Sequence, residues 1–447
     1  MMKRSLITTW TLLAAGFGVA RAQAPDTLRL GLGAAVRLAA DRNAQVEQAA
    51  ARLDQVQARV GVQRSLLYPQ VYGSVGTTAH TLNTASFGLE FPTEPGQDPL
   101  FDPNGEVLGP VRLSDVRGTV TQTLFDWSAF TRVRSANAAV NAADAQLHVS
   151  AERAAKAAAM AYAQALKARQ LYASRLADRG LAAELVSIAK EQLSSGVGVR
   201  LDVTRAEAQL AAVDAQVVAA RNAVERADLA LARAIGLRPG AAIVLTDSLG
   251  PIGEVTEDPE MATRLALERR ADVAELDAQI RAGELQVSAI KAERLPSLRF
   301  VGAGDFIGKR WDNLLRTYDW GLEVSVPLFQ GFRVKERAQE QQAQLRELQS
   351  RRRDLEDEIA FEVRAALLDL AAAAEQVAAA RSRLQLAEQE VSDARDRYQS
   401  GVAGSADVVT ASLRLTEART AYSEALAAHL VARIALAAAE GNVTELR

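Results

Sequence analysis

One short segment occurs twice. Gln192-Leu193-Ser194-Ser195-Gly196-Val197-Gly198-Val199-Arg200-Leu201-Asp202-Val203 has a second copy in Tyr398-Gln399-Ser400-Gly401-Val402-Ala403-Gly404-Ser405-Ala406-Asp407-Val408. Each copy interrupts a very long helical pattern with glycines and is followed by another helical pattern, so each reads as the tip of an antiparallel helical hairpin. The similarity extends outward from both tips. Gly196 and Gly401, Asp202 and Asp407, Leu210 and Leu415, and Gly236 and Gly441 all stand 205 positions apart. Upstream, Leu124-Phe125 matches Leu328-Phe329 at an offset of 204, while Arg37-Leu38-Ala39 matches Arg264-Leu265-Ala266 and Pro69 matches Pro296 at 227. The fall from 227 to 204 places 23 additional residues between Pro69 and Leu124 of the first copy. The chain therefore divides into a first repeat over 23–236, a connector over 237–258 and a second repeat over 259–447.

Residues 1–22 form a leader. Lys3 and Arg4 precede an apolar run from Ser5 to Ala20, and Ala20-Arg21-Ala22 has the small-x-small form of a signal-peptidase site. The apolar run is too short for a stable span, and no later stretch has about 18 apolar residues in a row. The sequence holds no cysteine, so an exported chain of this size is held by packing alone and has no lipidated N-terminal Cys.

Within each repeat the hydrophobic period changes. Leu30 to Leu66 carries Val36, Leu38, Val46, Leu53, Val56 and Val60 at helical spacing, which predicts one helix of moderate length before Pro69. Gly31 and Gly33 lack the third glycine and the preceding strand of a dinucleotide loop. The period then falls to two. Val71 to Thr77 alternates, and after a polar loop from about Leu82 to Pro110, Val116, Gly118 and Val120 share one face while Asp115, Arg117, Thr119 and Thr121 share the other. In the second copy Leu298, Phe300, Gly302 and Phe306 oppose Arg299 and Asp305; Tyr318, Trp320, Leu322, Val324 and Val326 oppose Asp319, Glu323 and Ser325.

Four strands of about ten residues with one apolar and one charged face need something apolar to cover them. A soluble sandwich would need a second sheet, which the chain does not supply. Lipid outside and water inside is the pattern of a membrane β-barrel, with Tyr318 and Trp320 suited to an interfacial aromatic girdle. Four strands cannot close a barrel, because even small ones use about eight and an open edge in lipid leaves backbone groups unpaired. Several copies must close it together.

Each second strand leads into a helical pattern without internal Pro or Gly, Ala129 to Leu193 and Arg333 to Tyr398, apart from Gly180 in the first. At 1.5 Å per residue each spans roughly 100 Å. The many alanines, including Ala371 to Ala374, favour helices packed side by side into a wall over an isolated coiled coil. Aromatic content of 5% and only 12 prolines agree with this. A net charge of -3, from 52 Lys+Arg against 55 Asp+Glu finely interspersed, gives no sign of a nucleic-acid partner. The connector carries a short apolar run, Ala241 to Leu245, between Pro239-Gly240 and Gly250-Pro251.

With the duplicated helix-strand-strand-helix plan, the Leu-Tyr-Pro69 and Leu-Pro296 strand entries, the Leu-Phe exits at Phe125 and Phe329 and the paired Gly-Val tips, the chain resembles the TolC-type outer-membrane channel family over nearly its whole length. The resemblance implies a mainly α protein with a membrane β-barrel portion. It would be a homotrimer whose four strands per subunit form one barrel, with Val116, Val120, Leu298, Phe300, Tyr318, Trp320, Leu322 and Val324 facing outer-membrane lipid. Helical hairpins would continue it as an α-barrel tunnel through the periplasm. A periplasmic adaptor of an inner-membrane pump would dock at tips containing Gly196, Val197, Gly401 and Val402 and open them like an iris. The channel would have no cofactor and no chemistry of its own. By the same resemblance Asp407 occupies the position of an acidic ring, Tyr398 that of a gate tyrosine, and Asp202 is the Asp407 equivalent of the first hairpin. Thr410 and Ala403 stand where the family has a second acid and a gate arginine, and Arg200 is a candidate substitute.

Two other readings accompany these. Asp202 and Asp407 each precede an apolar helical run and are placed to cap the returning helix. A periplasmic adaptor or a helical adhesin would also have a leader and helical hairpins, but it leaves the paired amphipathic strands without a use. An enzyme is disfavoured: His80, His148 and His429 are scattered, with no metal-ligand or nucleophile spacing, and all three are expected at solvated surfaces.

Overall fold

The computed structural model describes residues 28–87, 105–238, 240–250 and 258–446; the leader over 1–22 and part of the connector lie outside them. The order of elements runs twice through the same series. The first pass is β1 (Leu28–Leu30), α1 (Leu32–Arg42), α2 (Ala44–Ser65), β2 (Gln70–Asn83), β3 (Val107–Phe125), α3 (Trp127–Ser194) and α4 (Arg200–Ala234). The second is β4 (Ile243–Leu245), α5 (Pro259–Arg269), α6 (Ala271–Ala292), β5 (Ser297–Gly308), β6 (Leu315–Ser325), α7 (Arg333–Gln399) and α8 (Ser405–Glu440).

The helix expected from Leu30 to Leu66 is two helices. Asn43 is extended, and its carboxamide accepts from Gln45 N at 2.9 Å to cap α2 while donating to Ala234 O at 2.9 Å at the end of α4. Arg270, 227 positions later, makes the same break between α5 and α6 and reaches Asp272 and Glu362. The matched glycines fill these breaks. Gly236 and Gly441 end α4 and α8 with φ of 73° and 74°, and an added Cβ would lie 2.5 Å from Arg42 O and 2.9 Å from Arg270 Cγ respectively. Left-handed backbone and the absence of a side chain are both required there.

Asp126 starts α3 by accepting from Ser128 N and Ala129 N at 2.9 and 3.1 Å. The helix then runs 68 residues, and α7 runs 67. Alanines at 154, 155, 158, 159, 163 and 165 are buried along α3, letting neighbouring helices approach it closely around Leu231, Ile235, Ile434 and the fully buried Tyr162. The connector has a definite place: β4 pairs in parallel with β1, Leu28 to Ile243 through Leu30 to Leu245. Tyr162 fastens this clasp, its hydroxyl 3.0 Å from Leu30 O and 2.9 Å from Asp247, whose Oδ2 also accepts Leu32 N at 2.8 Å.

The remaining strands form one antiparallel sheet in the order β2-β3-β5-β6. They are 14, 19, 12 and 11 residues long, so the first pair exceeds the expected ten. The excess extends into the segment expected as loop, where Leu82 pairs with Leu108 and Asn83 with Val107. His429 also departs from expectation, being 4% exposed on the inner face of α8. The apolar surroundings of the paired helices outweigh its polarity there, and burial followed by the charge of Arg433 holds the imidazole below its ordinary pKa.

Candidate functional site

The two tips are built alike. At the first, Gly196 takes φ of 79°, and Val197 N and Gly198 N donate to Gln192 O at 3.1 and 2.9 Å. At the second, Gly401 takes φ of 70°, and Val402 N and Ala403 N donate to Arg397 O at 2.9 and 3.2 Å. Glycine reverses the chain and the turn satisfies the last helical carbonyls. Both turns hold an apolar side chain out into water: Val197 is 72% exposed and Val402 71%.

The capping expected of the two aspartates is not what the structure has. Val199 and Gly404 are the N-caps of α4 and α8, and neither helix start has a side-chain cap bond. Asp202 and Asp407 stand three residues later, in the first turn, where their charge favours the helix dipole. Their surroundings then diverge. Asp202 accepts a hydrogen bond from Ser405 Oγ of the other hairpin and lies 3.9 Å from Arg205 Nη1. Asp407 is exposed, and its carboxylate makes no hydrogen bond or ion pair among the described residues; only its backbone N–H donates, to Gly404 O at 3.2 Å.

Tyr398 is 3% exposed and packs with Leu185 of α3 and Val408 of α8. Its hydroxyl has no partner among the described residues, and burial, then the charge of Asp202, hold the phenol above its ordinary pKa. Its carbonyl accepts from Gln192 Nε2 at 2.8 Å. Arg200 and Thr410 are exposed; Thr410 Oγ1 donates to Ala406 O at 2.8 Å, and the Arg200 guanidinium has no described partner. Tyr398, Asp202 and Gln192 are thus brought together between the hairpins, whereas Arg200 and Asp407 are not.

Above the tips lies a network that sequence reasoning missed. Asp178 of α3 is 4% exposed, and its two oxygens accept from Arg175 Nη1 at 3.1 Å and Arg419 Nη1 at 2.6 Å. Arg175 also donates to Thr420 Oγ1 of α8 at 2.8 Å. Nearer the tip, Arg395 of α7 pairs with Glu184 of α3. The only local signal was an Arg-x-x-Asp spacing, which any solvated helix can show.

On the sheet the alternation is as the residues suggest. Val71, Val120, Gly302 and Trp320 lie in one cross-strand row, and Val75, Val116, Phe306 and Arg316 in another. Leu298, Phe300, Tyr318, Leu322 and Val324 share that face, where Trp320 and Tyr318 are both 71% exposed. The opposite face carries the Arg117–Asp305 pair at 2.7 Å and the Arg299–Glu323 pair at 3.4 Å. β2 and β6 are the sheet's two edges. No helix among the described residues is long and apolar enough to cross a membrane, and no cluster of His, Asp or Glu among them is arranged to hold a metal ion.

Comparison with known proteins gives this arrangement a family context. The profile of the outer membrane efflux protein family matches residues 35–237 and 262–442. Protein CyaE of Bordetella pertussis is 28% identical over 431 residues, covering 93% of this chain and 84% of CyaE. The alkaline protease secretion protein AprF of Pseudomonas aeruginosa is 26% identical over 227 residues, 48% of this chain and 46% of AprF. The solved structure of the outer-membrane channel OprN superposes with a TM-score of 0.72 at 20% identity, covering 92% of this chain and 90% of OprN, a likeness of fold.

Proposed function

The chain belongs to the outer membrane efflux protein family, and from this premise we infer that it is the outer-membrane exit duct of a tripartite efflux pump or a type I secretion system. Efflux follows from the family description, and secretion from the name of AprF. The observation that carries the reading is a four-stranded sheet with one exposed apolar face and two open edges, joined to hairpins roughly 100 Å long. Lipid is the medium that such a face suits, and neighbouring copies are what such edges require.

Three copies closing edge to edge make twelve strands, enough for a barrel that keeps a water-filled lumen. The charged face lines that lumen, and cargo passes through without chemical change. The hairpins carry the lumen through the periplasm. Val197 and Val402, presented on Gly196 and Gly401, form the apolar knobs to which a periplasmic adaptor protein docks. Between the tips, three Asp407 carboxylates narrow and charge the aperture, while Tyr398, Asp202 and Ser405 hold the second hairpin against the first. Arg200, exposed beside this contact, is available to a neighbouring subunit.

Refolded protein in a planar bilayer tests this. A small cation-selective conductance, blocked by divalent cations added from the tip side and released from block in Asp407→Ala, is expected. Pores whose block survives Asp407→Ala would remove that residue from the constriction. Absence of pores, together with absence of a heat-resistant trimer on unheated gels, would remove the barrel.

A further inference from the structure

The apolar face of the sheet is not apolar to its end. β2 and β5 run away from the helices and β3 and β6 run back, so the β5–β6 turn and the start of β3 mark the distal rim. There the face that carries Val116, Val120, Tyr318 and Trp320 also carries Arg316, paired across the strands with Phe306, and Arg112, paired with Ala79. Both arginines are exposed, as is Lys309 in the adjoining turn, and none of the three forms an ion pair among the described residues. Arg310, their neighbour, is neutralised by Asp312 at 2.9 Å. The charged pairs of the sheet, Arg117–Asp305 and Arg299–Glu323, lie on the other face.

The height of these cations follows from strand geometry. Exposed aromatics collar the helix end of the sheet, with Phe329 76% exposed and Phe332 66%. From Val326 to Arg316 is about 33 Å along a strand at 3.3 Å per residue, or about 25 Å along the membrane normal at the usual tilt near 40°, which is the height of an outer-membrane apolar band. Arg316 is therefore set at the outer headgroup level, and Arg112 lies four residues further out along β3 than Val116 of the Arg316 row. One row below Arg316, Gly73, Gly118, Gly304 and Tyr318 align across the sheet. Added Cβ atoms at Gly73 and Gly304 would meet nothing within 4 Å, so this row is a shallow trough of bare backbone beneath the cations.

We propose that Arg112, Arg316 and Lys309 bind the phosphate groups of phosphorylated glycolipid in the outer leaflet, with an acyl chain lying over the glycine row. Cations that face outward at a lipid boundary without a partner among the described residues are complementary to anionic headgroups. This binding rests on the outer-membrane reading above.

The test titrates the full-length, detergent-solubilised protein with diphosphoryl lipid A, dephosphorylated lipid A and phosphatidylcholine, following lipid retention by native mass spectrometry. Each basic group near an anionic lipid surface is worth about fivefold in affinity, so Arg112→Gln with Arg316→Gln should weaken diphosphoryl lipid A binding by about 25-fold. Binding of phosphatidylcholine and conductance in phosphatidylcholine bilayers should not change. Equal affinity of the double variant and wild type, or equal wild-type affinity for the dephosphorylated lipid, would overturn the proposal. So would displacement of lipid A by an equal concentration of inorganic phosphate, because the site would then serve a free anion. Failure of the wild type to form pores in phosphatidylcholine would instead sink the outer-membrane reading, which keeps the two failures distinct.

Discussion

Replacing Asp178 by Ala should loosen the two hairpins from each other by a measurable factor. The wild-type carboxylate is 4% exposed and satisfies one arginine from each hairpin, Arg175 at 3.1 Å and Arg419 at 2.6 Å. Removing one member of a fully buried pair leaves an uncompensated charge, at about 3–5 kcal/mol. Here the arginine side chains keep 16% and 24% of their exposure, so water relieves part of that loss. An effect of about 2–3 kcal/mol on hairpin packing is the reasonable expectation, between a charged hydrogen bond and a fully buried pair. That corresponds to about a 30- to 150-fold rise in the population with the seam open. Because the chain has no cysteine, Leu185→Cys gives a single thiol inside the seam, beside Tyr398 and Val408. Its alkylation rate reports how often the seam opens, and should rise by that factor when Asp178→Ala is added. A second single thiol, Val197→Cys at the exposed tip, should react at an unchanged rate. A rise below about threefold at position 185, less than 1 kcal/mol, would mean that the arginines find water or new partners at no cost and that the network does not hold the hairpins.

Other outcomes follow from the same geometry. Gly198→Ala should distort the first tip, since its Cβ would lie 2.9 Å from Gln192 Cβ and 3.0 Å from Leu193 N, whereas Gly404→Ala has nothing within 4 Å and should be silent in thermal melts. Because burial lowers the pKa of His429 below 6.5, the unfolded chain takes up that proton first; stability is complete above about pH 6.5 and is lost as pH falls from there through the folded value. Melts of His429→Leu should show a smaller fall between pH 7.5 and 5.5 than wild type, and an equal fall would exclude this histidine. High salt should speed alkylation at position 185 only about two- to threefold, because the Debye length of about 3 Å at 1 M screens exposed pairs while the buried Asp178 network is shielded. A rise as large as that of Asp178→Ala would mean that the exposed Arg395–Glu184 pair carries the seam.

What could be read from the residues depended on range. The long helices were legible to within two residues at each end, because α3 and α7 lack proline and their ends are marked by Asp126 and by Gly196 and Gly401. The breaks at Asn43 and Arg270 were hidden, since neither is a Gly or Pro and each is fixed by distant partners, Ala234 O for one and Glu362 for the other. The clasp of β1 on β4 joins residues about two hundred positions apart and leaves no periodic trace. At the tips the aspartates were visible but their roles were not. A cap and a first-turn acid differ by three residues, and the structure puts the cap position on Val199 and Gly404. His429 looked like any polar residue on a helix, and only the packing of α8 buries it.

The duplication gives the chain two hairpins with the same turn and different surroundings. Both hairpins inherited the same turn, yet Asp202 is drawn into the seam by Ser405 while Asp407 is left in open water. The divergence lies two residues away: position 200 is Arg in the first copy, and its counterpart at 405 is Ser, short enough to reach across to Asp202. Toward the tip the acids of the seam, Asp178, Glu184 and Asp202, belong to the first hairpin and the groups that donate to them, Arg419, Arg395 and Ser405, to the second, whereas farther from the tip Lys167 of the first pairs with Glu424 of the second at 3.3 Å. Toward the tip these polar bonds, which can be exchanged for water, join the hairpins beside a small apolar contact of Leu185 with Tyr398 and Val408, whereas farther from the tip the alanines of α3 pack directly against Leu430 and Ile434 of α8, a contact that water cannot replace. A force applied at Val402 acts first on these polar bonds, so the tip end of the second hairpin should swing there and carry the unpaired Asp407 carboxylate with it, while the α3–α8 packing farther up stays closed.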